Sequence, residues 1–322
     1  MSDIIKHKRS GTTGVEPLTG ELVQGELAIN YYDGALFVET DQSGTLGIAR
    51  IDGRKVKVDS FTSSGTWTKP AGARMVYAIM VGGGGGGGSG RRGAPSTIRG
   101  GGGGGAGAAV TEVTWDAADL PATISVTIGA NGTGGASRTT NDTSGANGTA
   151  GGTTRLGDAP GVYGRAVGGT FGQAGNTSAG AAGAAQTGGL FDGGAGGAGG
   201  TRNGVSSPVY AKGCGGGGGG AGISAANLYG FGGDGSGTAR VGSTAIGGNT
   251  DDPELPLAGY SNGIVATGGG GGGSGLLQAG QAGANGGSYG GGGGGGAASE
   301  NGYASGAGGN GGGGRVVFVT YF

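Results

Sequence analysis

Histidine occurs once in this chain of 322 residues, at His7, and cysteine once, at Cys214. With one of each, the sequence has no Ser/His/Asp or Cys/His arrangement in its body, no internal disulfide and no zinc cluster. No metal or cofactor site is expected. Charged residues make up 12% of the chain, and 19 basic against 20 acidic side chains leave no excess of one sign to attract nucleic acid. The longest unbroken apolar stretch, Met75–Val81, is far short of the ~20 residues of a membrane span. Met1–Arg9 has no apolar centre and does not read as a secretory signal, so the expectation is a soluble protein without a recognisable export sequence. No Gly-Lys dipeptide is present for a Walker A loop. Asp251, Asp252 and Glu254 are the one local group of carboxylates, and Asp252-Pro253-Glu254-Leu255-Pro256 reads as a rigid turn rather than a glycosidase pair. The chain is therefore expected not to be an enzyme.

What the chain has in excess is glycine. Ten of its 96 glycines fall in residues 1–81 and the other 86 in residues 82–322, which separates a conventional head from a glycine-rich body. Uninterrupted runs at 82–88, 100–105, 215–220, 268–273, 290–296 and 311–314 break the every-third-residue register of collagen. Neither a helix nor an ordinary strand tolerates such runs, because glycine loses the most backbone entropy on ordering and brings no side chain to bury. Backbone hydrogen bonds must then offset the ordering cost of roughly 1–2 kcal/mol per residue. Side-chain-free rods can approach closely enough to pair N–H with C=O laterally, so the runs are expected to form a bundle of polyglycine-II helices.

The strands are legible around them. Glu26–Tyr32 alternates, Asp33-Gly34 supplies a turn and Ala35–Val38 returns, while Arg54–Val58 alternates again. Met75–Val81, Ala109–Trp115, Thr123–Ile128 and Arg315–Phe322 read as strands of the body, with residues near 75 and 320 in one small sheet. The fold class expected is mainly β plus polyglycine-II, with almost no α-helix. Residues 1–59 would form one domain and residues 60–322 a second. The head has too little apolar content to be stable alone, so copies are expected to share a core there. Its candidate contacts are Leu22, Leu27, Ile29, Tyr31, Leu36, Phe37 and Val38.

If the runs are rods, the segments between them become loops at the ends of a rigid slab, the usual layout of a binding surface. The stretches read as loops are Ser89–Arg99, 129–214, 223–267, Leu276–Tyr289 and Ala297–Ser305. Arg91, Arg92 and Arg99 offer planar forks for phosphate or carboxylate, with a solvated loop tip as the plain alternative. Tyr210, Tyr229, Phe231, Tyr260, Leu276, Leu277, Tyr289 and Tyr303 complete the candidate binding residues, divided between recognition and covering the glycine slab.

Two segments resemble known families. Lys6–Ser10 followed by Leu18–Asn30 and Asp33–Val38 resembles the N-terminal domain of phage tropism-determinant and tail-fibre proteins. That resemblance implies an intertwined trimeric β-prism and a connection to other phage tail or baseplate proteins. Phe61-Thr62-Ser63-Ser64-Gly65-Thr66-Trp67-Thr68-Lys69-Pro70, then a strand, polyglycine and a closing strand, looks like the glycine-rich domain of phage tail fibres. The alternation of glycine runs and loops is also similar to the distal adhesins of T-even-like phages, whose loops contact outer-membrane receptors. Those adhesins carry a different N-terminal part and cap a long fibre, whereas here head and body share one chain. The resemblance thus implies a homotrimeric, non-enzymatic receptor-binding protein of a phage tail fibre or tail tip. Its partner would be a host outer-membrane protein or a surface glycan. A purely structural spacer or baseplate decoration is the rival expectation, and an enzyme degrading surface polysaccharide the third.

Overall fold

A computed structural model describes residues 8–23, 26–32, 34–42, 44–51, 56–158, 163–185, 189–208, 213–237, 245, 247–248, 256–259, 261 and 263–322. The chain divides into two units, Met1–Lys57 with Tyr321–Phe322, and Val58–Thr320. Among the described residues the only helical element is one 3-10 turn, Ala117–Asp119; the ordered strands form several small sheets, none closed into a barrel.

In the first unit, β1 (Lys8–Ser10), β2 (Leu27–Asn30), β3 (Ala35–Gln42) and β4 (Thr45–Arg50) make a sheet in that order. β1 runs parallel to β2, and β2–β3 and β3–β4 are antiparallel. Alternation puts Ala28, Ala35 and Phe37 on one face, where Leu22 joins them in a small core.

In the second unit, β6 (Gly65–Thr68), β10 (Thr123–Thr127), β11 (Thr154–Leu156) and β12 (Gly164–Ala166) make an antiparallel sheet. A second sheet has the order β5 (Val56–Phe61), β14 (Arg315–Tyr321), β7 (Met75–Val81), β9 (Val110–Asp116). β7 and β14 are neighbours, as the strand pattern predicts, so the two ends of the glycine-rich body meet. Trp67, Val76, Met80, Ile124, Val126, Leu156, Val316 and Phe318 form the core these sheets enclose. The Trp67 and Phe318 rings stack at 4.6 Å, and Trp67 Nε1 donates to Asp59. Lys69 Nζ donates to the carbonyls of Ala117 and Leu120, tying the helical turn to the sheet. The remaining strands, β8 (Arg92–Gly93) and β13 (Ser299–Glu300), pair in parallel away from both sheets.

Beyond the sheets lies a block of extended glycine segments joined by backbone hydrogen bonds. In segment 82–90, Gly83, Gly86 and Ser89 donate to Gly152, Thr149 and Ala146; Gly84, Gly87 and Gly90 donate to Gly312, Gly309 and Gly306; Gly85 and Gly88 donate to Ala106 and Gly103. The partner thus changes with every residue and recurs every third. The carbonyls rotate likewise: Gly83 and Gly86 accept from Gly169 and Gly172, Gly84 and Gly87 from Gly132 and Gly135, and Gly85 and Gly88 from Gly293 and Gly296. One segment is therefore bonded to six others. The segments around 100–109, 213–222, 267–275 and 290–298 are enclosed in the same way. A Cβ added at Gly85 would overlap the carbonyl of Thr170, and one at Gly86 that of Thr133, so neither position admits a side chain.

Much of 129–214 and 223–267, expected to be loops, is instead more of this block. Segments 129–137, 145–152 and 167–176 have neighbours on part of their circumference and one flank open, and glycine recurs there at every third position: 129, 132, 135; 145, 148, 151; 169, 172, 175. Those glycines turn inward, and the two residues between them carry side chains on the outside. Several of these side chains accept the N–H groups that have no neighbouring segment. Asn147 Oδ1 accepts from Ala174, and Asn310 Oδ1 from Gly134, both at 2.8 Å. Asn310→Ala is expected to cost about 1 kcal/mol, the net worth of one hydrogen bond, read as a small drop in melting temperature.

Candidate functional site

Consecutive glycine segments run in opposite directions. Segment 82–90 leaves β7, and 100–109 returns to β9, with Gly85 bonded to Ala106 and Gly88 to Gly103. Connections therefore alternate between two ends of the block. One end carries the sheets. At the other lie the described connections 91–99, 138–144, 201–203, 223–229, 276–279 and 299–303, far apart in sequence and drawn together by the segments they join.

This loop end is tied together internally. Arg92 N–H donates to Thr143 and Arg99 N–H to Ile223, while Asn301 N–H donates to Gly93. Asp142 Oδ1 accepts from Ala94 N–H at 3.0 Å and from Asn301 Nδ2 at 3.1 Å, and Asn227 Oδ1 accepts from Ser96 N–H at 2.9 Å. Among the described residues the non-glycine positions with left-handed backbone are Ser96, Asp142, Asn227 and Leu277, with φ of 60°, 53°, 59° and 52°. All four are at this end. Asn and Asp reach that region readily; a leucine is uncommon there, and such strain gathers where the chain presents a feature rather than packs one. Leu277 is also 71% exposed, and Ile98, Leu228, Leu276 and Tyr303 are exposed in the same set of loops, with Phe231 exposed just past the 223–229 connection.

The structure divides the expected binding residues. Arg91, Tyr229, Phe231, Leu276, Leu277 and Tyr303 lie at or next to the loop end, with Arg91 and Tyr229 half-buried. Arg92 and Arg99 are there too, but as buried groups, which corrects their reading as exposed forks. Arg92 sits in β8 and donates to the Thr139 carbonyl. Arg99 has no accessible surface: Nε donates to Thr97, Nη2 to Ser224 and to Asn227 Oδ1 at 2.6 Å, and Glu300 lies 3.7 Å from Nη1. Burial pushes its pKa below the ordinary arginine value, and Glu300 pulls it partly back. Tyr289 is a second correction. It lies at the sheet end, half-buried beside Val81, Val110 and Cys214, with Arg315 4.8 Å above its ring. Tyr210 and Tyr260 lie outside the described residues.

Sequence reading missed Ile98, Leu228, Arg138 and Glu300. The usable signal was the Asn or Asp inside a short break between glycine segments, Asp142 and Asn227, which marks a tight connection at a segment end.

In the first unit, the candidate assembly residues divide between two faces. Leu22 and Phe37 fill its small core. Leu27 faces Val38 and Ile29 faces Leu36 across β2 and β3, on the opposite side, all half-buried. Tyr31 is 68% exposed.

Residues 59–321 match the family model of a glycine-rich domain. No curated protein matches the chain.

Proposed function

The chain belongs to the glycine-rich domain family, and from that premise we propose that it is a phage tail-fibre or tail-tip receptor-binding protein. In this reading the glycine segments are polyglycine-II rods, and the bundle presents its loop end to the host surface. The observation that carries it is the gathering at one end of a hydrogen-bonded block of left-handed Ser96, Asp142, Asn227 and Leu277, with Ile98, Leu228, Leu276, Leu277 and Tyr303 exposed in the same connections. The three-residue rotation of hydrogen-bond partners supports the rod assignment, since polyproline-II-type helices turn once in three residues. A stiff scaffold with functional loops at its end lowers the ordering cost of binding.

The resemblance of Lys6–Ser10, Leu18–Asn30 and Asp33–Val38 to tail-fibre attachment domains supports the virion part of the proposal. The apolar row Leu27, Ile29, Leu36 and Val38, half-buried in a single chain, supports a homotrimer that covers it. The partner is an outer-membrane protein or surface glycan, and three copies bind through many weak contacts made simultaneously. The role is binding rather than catalysis.

The test is adsorption of fluorescently labelled full-length chain to a panel of bacterial strains, wild type beside Leu276→Ser/Leu277→Ser. Saturable binding to some strains, reduced about tenfold or more in the variant through lost apolar contact, is the expected result. Unchanged adsorption of the variant would move the contact away from this end; absence of binding to every strain would favour the spacer reading.

A further inference from the structure

Three guanidiniums converge on one connection of the loop end. Arg91 Nη1 lies 3.4 Å from Ser144 Oγ, Arg92 donates to the Thr139 carbonyl, and Arg138 Nη2 donates to the Gly145 carbonyl at 3.0 Å. Their partners all belong to the eight residues Arg138–Gly145. The Nε atoms of Arg91, Arg92 and Arg138 are each buried, and each lacks an acceptor.

No carboxylate neutralises them among the described residues. Asp142 is the only acid in that connection, and its Oδ1 is taken by Ala94 N–H and Asn301 Nδ2. Glu300, the other acid nearby, faces Arg99. Three guanidiniums bonded to one eight-residue connection, with three shielded N–H donors unused, are a costly arrangement for a structural joint. A neutral hydrogen-bonding side chain would staple a carbonyl as well.

We propose that Arg91, Arg92 and Arg138 form an oxyanion site at the loop end, with the half-exposed Arg91 and Arg138 at its mouth and the buried Arg92 behind them. Its ligand class is a phosphate, sulfate or carboxylate group carried by a surface glycan, which the planar forks match in charge and geometry. The assignment to a glycan rests on the reading of this end as host-facing; the anion site itself does not.

Thermal unfolding and calorimetric titration of the full chain with sodium phosphate, against sodium chloride at equal ionic strength, test the site directly. Phosphate is expected to raise the melting temperature where chloride does not, and Arg91→Gln/Arg138→Gln to weaken phosphate binding by about tenfold or more. Phosphate that acts no differently from chloride on the wild type overturns the proposal, whatever the variants do. So does a phosphate effect that persists undiminished in a folded Arg91→Gln/Arg138→Gln protein. Adsorption to cells, measured in parallel, separates the two readings. Phosphate binding lost with the arginines in a chain that binds no strain supports the anion site and removes the receptor role. Adsorption unaffected by the substitutions, with no phosphate effect, removes the site and leaves that role standing.

Discussion

Gly85→Ala is expected to unfold the glycine block or to destabilise it by about 4 kcal/mol or more, against total stabilities of about 5–15 kcal/mol for ordinary domains. The methyl group would enter the space of the Thr170 carbonyl oxygen, a backbone atom held in place by its own bond to Ala106. No rotamer change relieves that overlap, because the obstacle is not a side chain. Either segment 167–176 moves outward, or segment 82–90 slides and loses its bonds in all directions. Overpacking an ordinary core by one methylene costs about 1–3 kcal/mol because neighbouring side chains adjust; here nothing adjustable lies nearby. Gly313→Ala is the control. A Cβ there meets no atom within 4 Å, so stability is expected to stay level or rise by up to about 1 kcal/mol as the unfolded chain loses freedom. Melting temperatures of the two variants decide it. A Gly85→Ala protein that melts with the wild type would mean that these segments do not hold one another at backbone distance.

The same contrast explains what was legible in the sequence. The runs at 82–88, 100–105, 215–220, 268–273 and 290–296 announce themselves because an enclosed segment has neighbours on all sides and room for a side chain at few of its positions. The outer segments do not. With one flank open, two residues in three are free to be Asn, Thr, Ala or Gln, and a stretch such as Gly129–Ser137 then reads as a polar loop. Its period of three is present but short, and the glycine-dense surroundings hide it. Strands β7, β9, β10 and β14 were readable because they carry the ordinary apolar pattern that the body otherwise lacks.

The loop end was partly readable for a related reason. Breaks between glycine runs locate connections, which places Arg91, Leu276, Leu277 and Tyr303 in or beside them. Which end of the block a connection occupies depends on the parity of the segments before it. Counting parity requires the hidden outer segments, so the sequence does not separate Tyr289, at the sheet end, from the residues of the loop end. Burial of Arg99 was not readable either. Its environment is assembled from Ser224, Asn227 and Glu300, more than a hundred residues away in sequence.

That assembly yields the second large effect. Arg99→Met is expected to cost about 3–5 kcal/mol, because it removes the donors that occupy the Thr97 and Ser224 carbonyls and Asn227 Oδ1 and leaves Glu300 without its cation. Glu300→Gln is expected to cost less, about 1 kcal/mol, since the pair is separated by 3.7 Å and the Glu300 side chain keeps some contact with solvent. The direction of the Arg99 pKa agrees with this ranking. Burial, which lowers it, outweighs the attraction of Glu300, which raises it, so the ion pair does not offset the cost of burying the guanidinium. A cation whose pKa is lower in the folded than in the unfolded protein weighs against folding while protonated, and removing Glu300 enlarges that penalty. In the double variant Arg99→Met/Glu300→Gln the loss should stay close to that of Arg99→Met alone, with a coupling of about 1 kcal/mol. The damage should also be local. Hydrogen exchange is expected to rise in residues 94–98, 224–229 and 299–303 while the Trp67–Phe318 core stays protected. Because Arg99 has no accessible surface, any loss of adsorption in Arg99→Met must act through those loops and not through a lost contact. Equal destabilisation by Arg99→Met and Glu300→Gln would instead show that the ion pair, and not the hydrogen bonds, holds the guanidinium. Exchange rising across the whole chain would show that the loop end and the sheets unfold as one.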